Sequence, residues 1–366
     1  MKYGFLAAFF FLTAIFGYAQ PSANEIVFDG GDQIYSIRPD GTGQVNLTND
    51  AATYRSPSWS PDGTRILYTR NYLIGIMNAD GTNRNSLGLA GSNPDWSPNG
   101  SRIAFDSLSS KYTNDIFVMN ADGTNLTQLT GDPNGEASSY APDWSPDGSK
   151  IIFLRNYRVY VMNADGTGQI ALTNSSAWEY RAKWSPDGSK IAFSREVDFD
   201  QNTNLYVMNA DGTGQTPITN CSTCSDFSPT WSPDGTRLAF ISNRDEPSSV
   251  YVVNADGTNV VRITLNAFDS SYPDWKRASP AAQHQLSGRV TTSSQRGVPR
   301  ARVTLDDGAG NIRSAITNPF GYFRFENVPT GSYAASVRSK SYTFVSRTVD
   351  VSSSITDLDF VALENP

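Results

Sequence analysis

Histidine is almost missing from this chain. Its 366 residues hold one, His284, beside two cysteines, Cys221 and Cys224. Histidine is the usual general base and metal ligand near neutral pH, and His284 falls in a short linker (below). A Ser-His-Asp triad or a His-based zinc site in either folded segment is therefore excluded. No Walker-type glycine loop is present, and no amphipathic helical periodicity of useful length appears. Charged residues make up 18 % of the chain, below the usual quarter or so. Long apolar runs are lacking too. The single one, residues 5–16, is too short to cross a bilayer comfortably, so no transmembrane anchor is expected.

That run follows Met1-Lys2 and precedes Gly17 and Ala19, small residues at the −3 and −1 positions of a cut before Gln20. Residues 1–19 read as a secretory signal peptide. No cysteine follows the cut, so a lipid anchor is not expected and the protein should be secreted or periplasmic. Residues 286–366 carry nine Lys and Arg against seven Asp and Glu; with Lys2 also set apart from the total of −7, residues 20–285 carry −10. That balance speaks against nucleic acid as a partner. Ten of the aspartates lie in Asp-Gly turns, so the acidity is largely turn chemistry.

What is abundant is repetition. A Trp-Ser-Pro turn recurs at Trp59, Trp96, Trp144, Trp184 and Trp231, with a degenerate copy at Trp275. A second turn, Asp-Gly-Thr, alternates with it at Asp40, Asp80, Asp122, Asp165, Asp211 and Asp256, spaced 40 to 46 residues apart. Between the turns lie runs such as RIAF and YVMN, and each unit ends near Leu-Thr. Each unit thus reads as four short strands, a to d, punctuated by Pro, Asp and Gly. Four strands every 40 to 46 residues suit a propeller blade. The first unit lacks strand a, and SYPDWK at 271–276 is a strand a with nothing after it. The two fragments should pair and close a ring of six blades, rather than leave an open solenoid.

These motifs resemble the WD40-like propeller repeat of TolB-type proteins, over roughly residues 24–276. Residues 286–364 resemble a second family, the carboxypeptidase regulatory-like domain, through LSGRV at 286–290, GVPRARVTL at 297–305 and TNPFGYFRFENVPTGSY at 317–333. That resemblance implies a prealbumin-like sandwich serving as a folding, spacing or adhesion module. The chain is therefore read as all-β: a signal peptide at 1–19, a six-bladed β-propeller at 20–276, a linker at 277–285 and a small seven-strand β-sandwich at 286–366.

Cys221 and Cys224 are expected to form a local disulfide, as suits an exported protein. Asp198, Asp200 and Asn202 alternate as calcium ligands do but lack the glycine and distal glutamate of such loops, and a polar hairpin loop is the favoured reading. No metal or cofactor is expected. The repeated Trp and Asp residues are assigned to packing and turns.

The b–c loops and d–a connections vary between blades and share one face of the disc, where binding sites are built. Tyr54, Arg55, Tyr140, Trp178, Tyr180, Arg181, Phe227 and Tyr272 fall there. Such rings either cap the inter-blade core or anchor a ligand. Tyr180 and Arg181 stand out, since Ala182 and Lys183 follow them and give a basic cluster on an acidic domain. A monomeric, non-enzymatic scaffold binding a protein or peptide is the first reading. A carbohydrate-binding protein is the second, and a propeller-type polysaccharide lyase the third.

Overall fold

The computed structural model describes residues 25–109, 113–197, 202–277, 284–308, 312–328, 331–351 and 354–363. The signal peptide and two of the three calcium candidates, Asp198 and Asp200, lie outside them. The described residues form strands and turns without a helix, and none of them forms a long apolar helix fit to cross a membrane.

Six four-stranded antiparallel sheets account for residues 26–275 of the described chain. Blade 1 runs Tyr54–Trp59, Arg65–Arg70, Leu73–Asn78 and Asn85–Ala90 as strands a to d. Strands a of blades 2 to 5 are Ser92–Trp96, Ser139–Trp144, Glu179–Trp184 and Asp226–Trp231. Blade 6 joins the two ends: Ser270–Trp275 pairs antiparallel with Ile26–Gly30, with Trp275 opposite Ile26 and Ser270 opposite Gly30. Strand exchange closes the ring, so no sheet edge is left at the seam.

The turns explain their own sequences. In the a–b turn of blade 1, Ser60 Oγ donates to Asp62 and accepts from Arg65 N, and Gly63 takes φ 65°. In the c–d turn, Asp80 accepts from Thr82 N. Gly81, at φ 80°, lies so close to the preceding blade that an added Cβ would stand 2.2 Å from the Leu47 carbonyl oxygen, which leaves room for glycine alone. In five of the six blades the terminal Thr accepts from an N–H near the start of strand c, as Thr48 does from Ile34, Thr130 from Ile116 and Thr219 from Leu205.

Packing between blades is built on the repeated tryptophans. Each of six inter-blade cores holds one, as where Trp96, Ile103 and Phe105 of blade 2 meet Leu67 and Ile74 of blade 1. A cation from the preceding blade covers several of the indoles: Arg65 over Trp96, Arg102 over Trp144 and Arg237 over Trp275. At the seam the pattern shifts by one strand. Glu25 precedes strand b of blade 6 where other blades carry Arg or Lys, and Lys276, from the strand-a side, sits 4.9 Å over Trp59 instead.

The following segment has seven strands among the described residues, in two sheets. Tyr322–Val328, His284–Thr291 and Phe360–Val361 form one; Ile312–Ile316, Arg302–Asp306, Gly331–Arg338 and Arg347–Val351 form the other. Leu286, Val290, Phe323, Phe325 and Phe360 from the first meet Val303, Leu305 and Val337 from the second in one core. His284 and Gln285 belong to the first strand rather than to a linker, because His284 pairs with Val328 and the Gln285 carbonyl accepts from Ile355 N.

Replacing Trp275 by alanine should destabilise the propeller by about 3–5 kcal/mol, as deletion of a large core aromatic does. Ending the propeller after Phe268 should lower the melting temperature further, because it also uncovers strand edges. Urea and thermal unfolding of the two variants check this, and a truncated ring as stable as the whole one would contradict closure through Ser270–Trp275.

Candidate functional site

Every strand a breaks register at the same place. In blade 3 Tyr140 opposes Leu154 and Asp143 opposes Ile152, so one extra residue is accommodated between them. The equivalent shifts fall between Arg55 and Ser58, Ser92 and Asp95, Tyr180 and Lys183, and Phe227 and Thr230. The residue three before each strand-a Trp, the third of each six-residue strand and the second of the shorter Ser92–Trp96, carries a left-handed φ: Ser56, Asn93, Ala141, Arg181, Ser228 and Tyr272, from 41° to 55°. A bulge of this kind re-aims side chains. The first residue of strand a points into the core, the second toward the loop face, the third toward the axis, and the fifth into the axial channel.

This geometry sorts the sequence candidates. Tyr54, a first-position residue, is 1 % exposed and packs with Trp59 and Tyr68, its hydroxyl donating to Asp50. It is a core residue and cannot anchor a ligand. Glu179 and Asp226 hold the same position in blades 4 and 5 and are buried against Arg195 and Arg244. Arg55, Tyr140, Tyr180 and Phe227 hold the second position and are half-buried, while Arg181 and Tyr272 hold the third. All of them lie within strands a rather than in the connections ahead of them. Trp178 lies in a connection, as expected, and is exposed.

Lys183 departs from expectation. As a fifth-position residue it enters the axial channel, where Nζ lies 2.8 Å from Asp143 and 3.6 Å from Asp95. Burial works against its charge, but Asp143, Asp95 and Asp274 outweigh that and raise its pKa. It adds no positive charge to the loop face. The channel acids serve the fold: Trp144 N donates to Asp95, Trp184 N to Asp143 and Trp59 N to Asp274. Above them the passage offers about 20 Å³, room for roughly one water. A ligand on the loop face therefore stays on that face.

Two clefts open there. One, of about 570 Å³, is lined by Thr53, Arg55, Asn71, Tyr72 and Asn114; the other, of about 560 Å³, by Tyr180, Arg181, Phe227, Asn243 and Ser248. They share Asn93, Tyr140 and Tyr272. At that ridge the Arg181 guanidinium lies 4.1 Å above the Tyr272 ring and donates to Asn93 Oδ1. Arg55 pairs with Asp32 and lies 3.7 Å from Asp29. Asp29 and Asp106 are buried and accept from Ser56 N and Ala141 N across the blade boundary.

Tyr72 and Tyr157 are not among the sequence candidates. Both sit at the tips of two-residue b–c turns, Asn71-Tyr72 and Asn156-Tyr157, with both residues at positive φ. The signal was the tripeptide Arg-Asn-Tyr, which occurs at 70–72 and again at 155–157. Cys221 and Cys224 are bonded to each other in the connection between blades 4 and 5. No group of His, Cys, Asp and Glu fit to hold a metal occurs among the described residues.

Burial lifts the Asp29 carboxyl from 3.8 to about 7, partly opposed by Ser56 N–H and Arg55. Burial likewise lifts Asp274 to about 6. A carboxyl raised on folding stabilises the fold in its protonated form, and that contribution is lost as pH rises from 3.8 through the folded value. The turn residues Asp147, Asp187 and Asp234 act oppositely. Serine and backbone donors pull them to about 2 against a smaller effect of burial, so their contribution is lost as pH falls below 3.8. Thermal stability should therefore peak near pH 4 and decline both toward pH 2 and toward pH 7. Asp29→Asn, which keeps an acceptor for Ser56 N, should flatten the decline toward pH 7. Melting curves across pH 2–8 test both, and an Asp29→Asn profile parallel to wild type would contradict the assignment.

The sequence profile of the TolB beta propeller domain matches residues 76–199 and 182–287, and that of the carboxypeptidase regulatory-like domain matches residues 285–363. No curated protein sequence matches the chain. Among solved structures, TolB from Agrobacterium tumefaciens is 21 % identical with a TM-score of 0.57, covering 66 % of this chain and 88 % of its own. TolB from Acinetobacter baumannii is 19 % identical with a TM-score of 0.61, covering 69 % and 67 %. A chain of the nidogen/laminin complex is 12 % identical with a TM-score of 0.58, covering 70 % and 99 %. The two profiles follow one another as the two folded segments do, and the chain belongs to the TolB β-propeller family, with a carboxypeptidase regulatory-like domain after the propeller.

Proposed function

We propose that the propeller is an exported, non-enzymatic scaffold that takes an extended segment of a protein or peptide across its loop face, with Arg181 as the central anchor. The observation that carries this reading is the meeting of two clefts at one ridge, where Arg181 is stacked on Tyr272. A stacked guanidinium loses little further freedom when it binds, and it presents its remaining donors as a rigid fork that fits a carboxylate or a backbone carbonyl. Tyr140, Tyr180 and Phe227 flank it, and Tyr and Arg together are the residue types enriched at interface anchors. The TolB-like fold supports a protein-binding role. Asp106, the acid that lines a cleft, is committed to Ala141 N and the Asn93 amide, which supports binding over catalysis.

Panning a phage-displayed random peptide library on the immobilised protein tests the reading. Wild type should enrich a consensus. Arg181→Ala should weaken capture of those peptides by about tenfold or more, and Arg181→Lys, which keeps the charge but not the fork, should fall between. The melting temperature should drop by only a few degrees, as half-exposed substitutions usually allow. No enrichment on wild type, or equal capture by Arg181→Ala, would overturn it.

A further inference from the structure

Six of the seven tryptophans are at most 9 % exposed and belong to the inter-blade cores; Trp178 is 45 % exposed and belongs to none. Its indole lies on the Tyr157 ring, centroids 4.6 Å apart and planes 11° from parallel. Tyr157 in turn meets Tyr140 and Tyr180 edge-on, at 5.7 Å each. One ring therefore supports the indole directly, and two more brace that ring. The backbone is set to put them there. Tyr157 occupies the second residue of its turn at φ 60°, a position that strongly favours glycine. The same turn in blade 1 leaves Tyr72 83 % exposed, so it is the connection into blade 4 that adds the indole.

Polar groups border the platform. Glu196 Oε2 accepts from Trp178 N at 3.4 Å, and its Oε1 from the Tyr180 hydroxyl at 2.9 Å. Arg158 Nη1 donates to the carbonyls of Ala177 and Tyr157, at 3.0 and 2.8 Å. A flat apolar face with a carboxylate and a guanidinium beside it suits a ligand that is apolar on its faces and hydroxylated at its rim.

We propose that Trp178, braced by Tyr157, is a carbohydrate-binding platform for a neutral β-linked glycan built of pyranoses with equatorial hydroxyls. Such rings present C–H groups on their faces, which the negative face of an indole attracts. Their hydroxyls find an acceptor in Glu196 and a donor in Arg158. The −10 carried by residues 20–285 disfavours a polyanionic glycan. A protein hot spot is the less suited occupant, since it needs a ring buried within dry apolar surroundings, and charged groups lie against this one. The platform adjoins the Arg181 ridge through Tyr140 and Tyr180, but Trp178 and Tyr157 line neither cleft, and the proposal does not rest on the peptide reading.

Affinity electrophoresis of the full chain in gels containing xyloglucan, hydroxyethyl cellulose, laminarin or polygalacturonate tests the platform. At least one neutral polymer should retard wild type, and polygalacturonate should not. Trp178→Ala should weaken the retardation by about tenfold or more, as loss of a stacking ring does. Tyr157→Gly removes the brace but suits the turn, so it should weaken binding while the melting temperature holds or rises. Arg181→Ala should migrate as wild type does. The proposal fails if no neutral polymer retards wild type, if only polygalacturonate does, or if Trp178→Ala is retarded equally. Loss of peptide capture by Trp178→Ala, without any retardation of wild type, would make the platform a protein contact instead.

Discussion

The register break in strand a is the constraint on which the rest of the propeller depends. A regular strand alternates its side chains between two faces. The extra residue at each break, held at left-handed φ, lets one short strand serve four directions. The residue before the break faces the loop side, the one within it faces the axis, and the one after it reaches an adjacent blade. Trp184 N on Asp143 and Trp144 N on Asp95 are such cross-blade bonds, and the Ser56 and Ala141 N–H groups find Asp29 and Asp106 in the same way. Neighbouring blades are thus tied by directional bonds as well as by the tryptophan cores.

Each position of strand a has its own chemistry. At the first, burial demands a side chain that packs or one whose polar atoms are satisfied, as the Ser139 hydroxyl is by Arg155. Tyr54 meets the demand by packing, and Glu179 and Asp226 by their arginines, with Arg244 offering two bonds to its partner. Burying one partner of such a pair alone would be strongly unfavourable. At the fifth position, three carboxylates face Lys183, and Arg277 adds a second cation 3.9 Å from Asp143. With positive charge held inside the channel and the passage narrowed, the loop face owes its character to second- and third-position residues and to the turns above them.

Two features of that face differ in kind. The Arg181–Tyr272 ridge lies at the axis, where all six strands converge and where two clefts meet. The Trp178–Tyr157 stack lies at a blade boundary, built by a b–c turn from one blade and a connection leading into the next. Both need residues that are uninformative alone. Arg181, the proposed anchor, is held by Tyr272, which is 91 residues away in sequence, and Trp178, the proposed platform, by a tyrosine at positive φ.

The sequence by itself determined the all-β class, the repeat, the closure of its ends and the roles of its turns. Those features are local: a Ser-Pro-Asp-Gly turn or a terminal Leu-Thr meets its hydrogen bonds within a few residues or one strand, and a strand without partners must find the matching gap. It also placed Trp178, Arg181 and Tyr272 among the loop-face candidates. Only the tertiary structure decided which way each side chain points. Tyr54 alternates with Arg55 and so belongs to the core, and a break of one residue reverses directions after it, which puts Lys183, two residues beyond Arg181, in the channel. The same geometry brought in Tyr157, whose tripeptide repeats in the sequence but whose ring gains its role from Trp178, because stacking depends on distance and angle in space and spacing along a chain does not encode them.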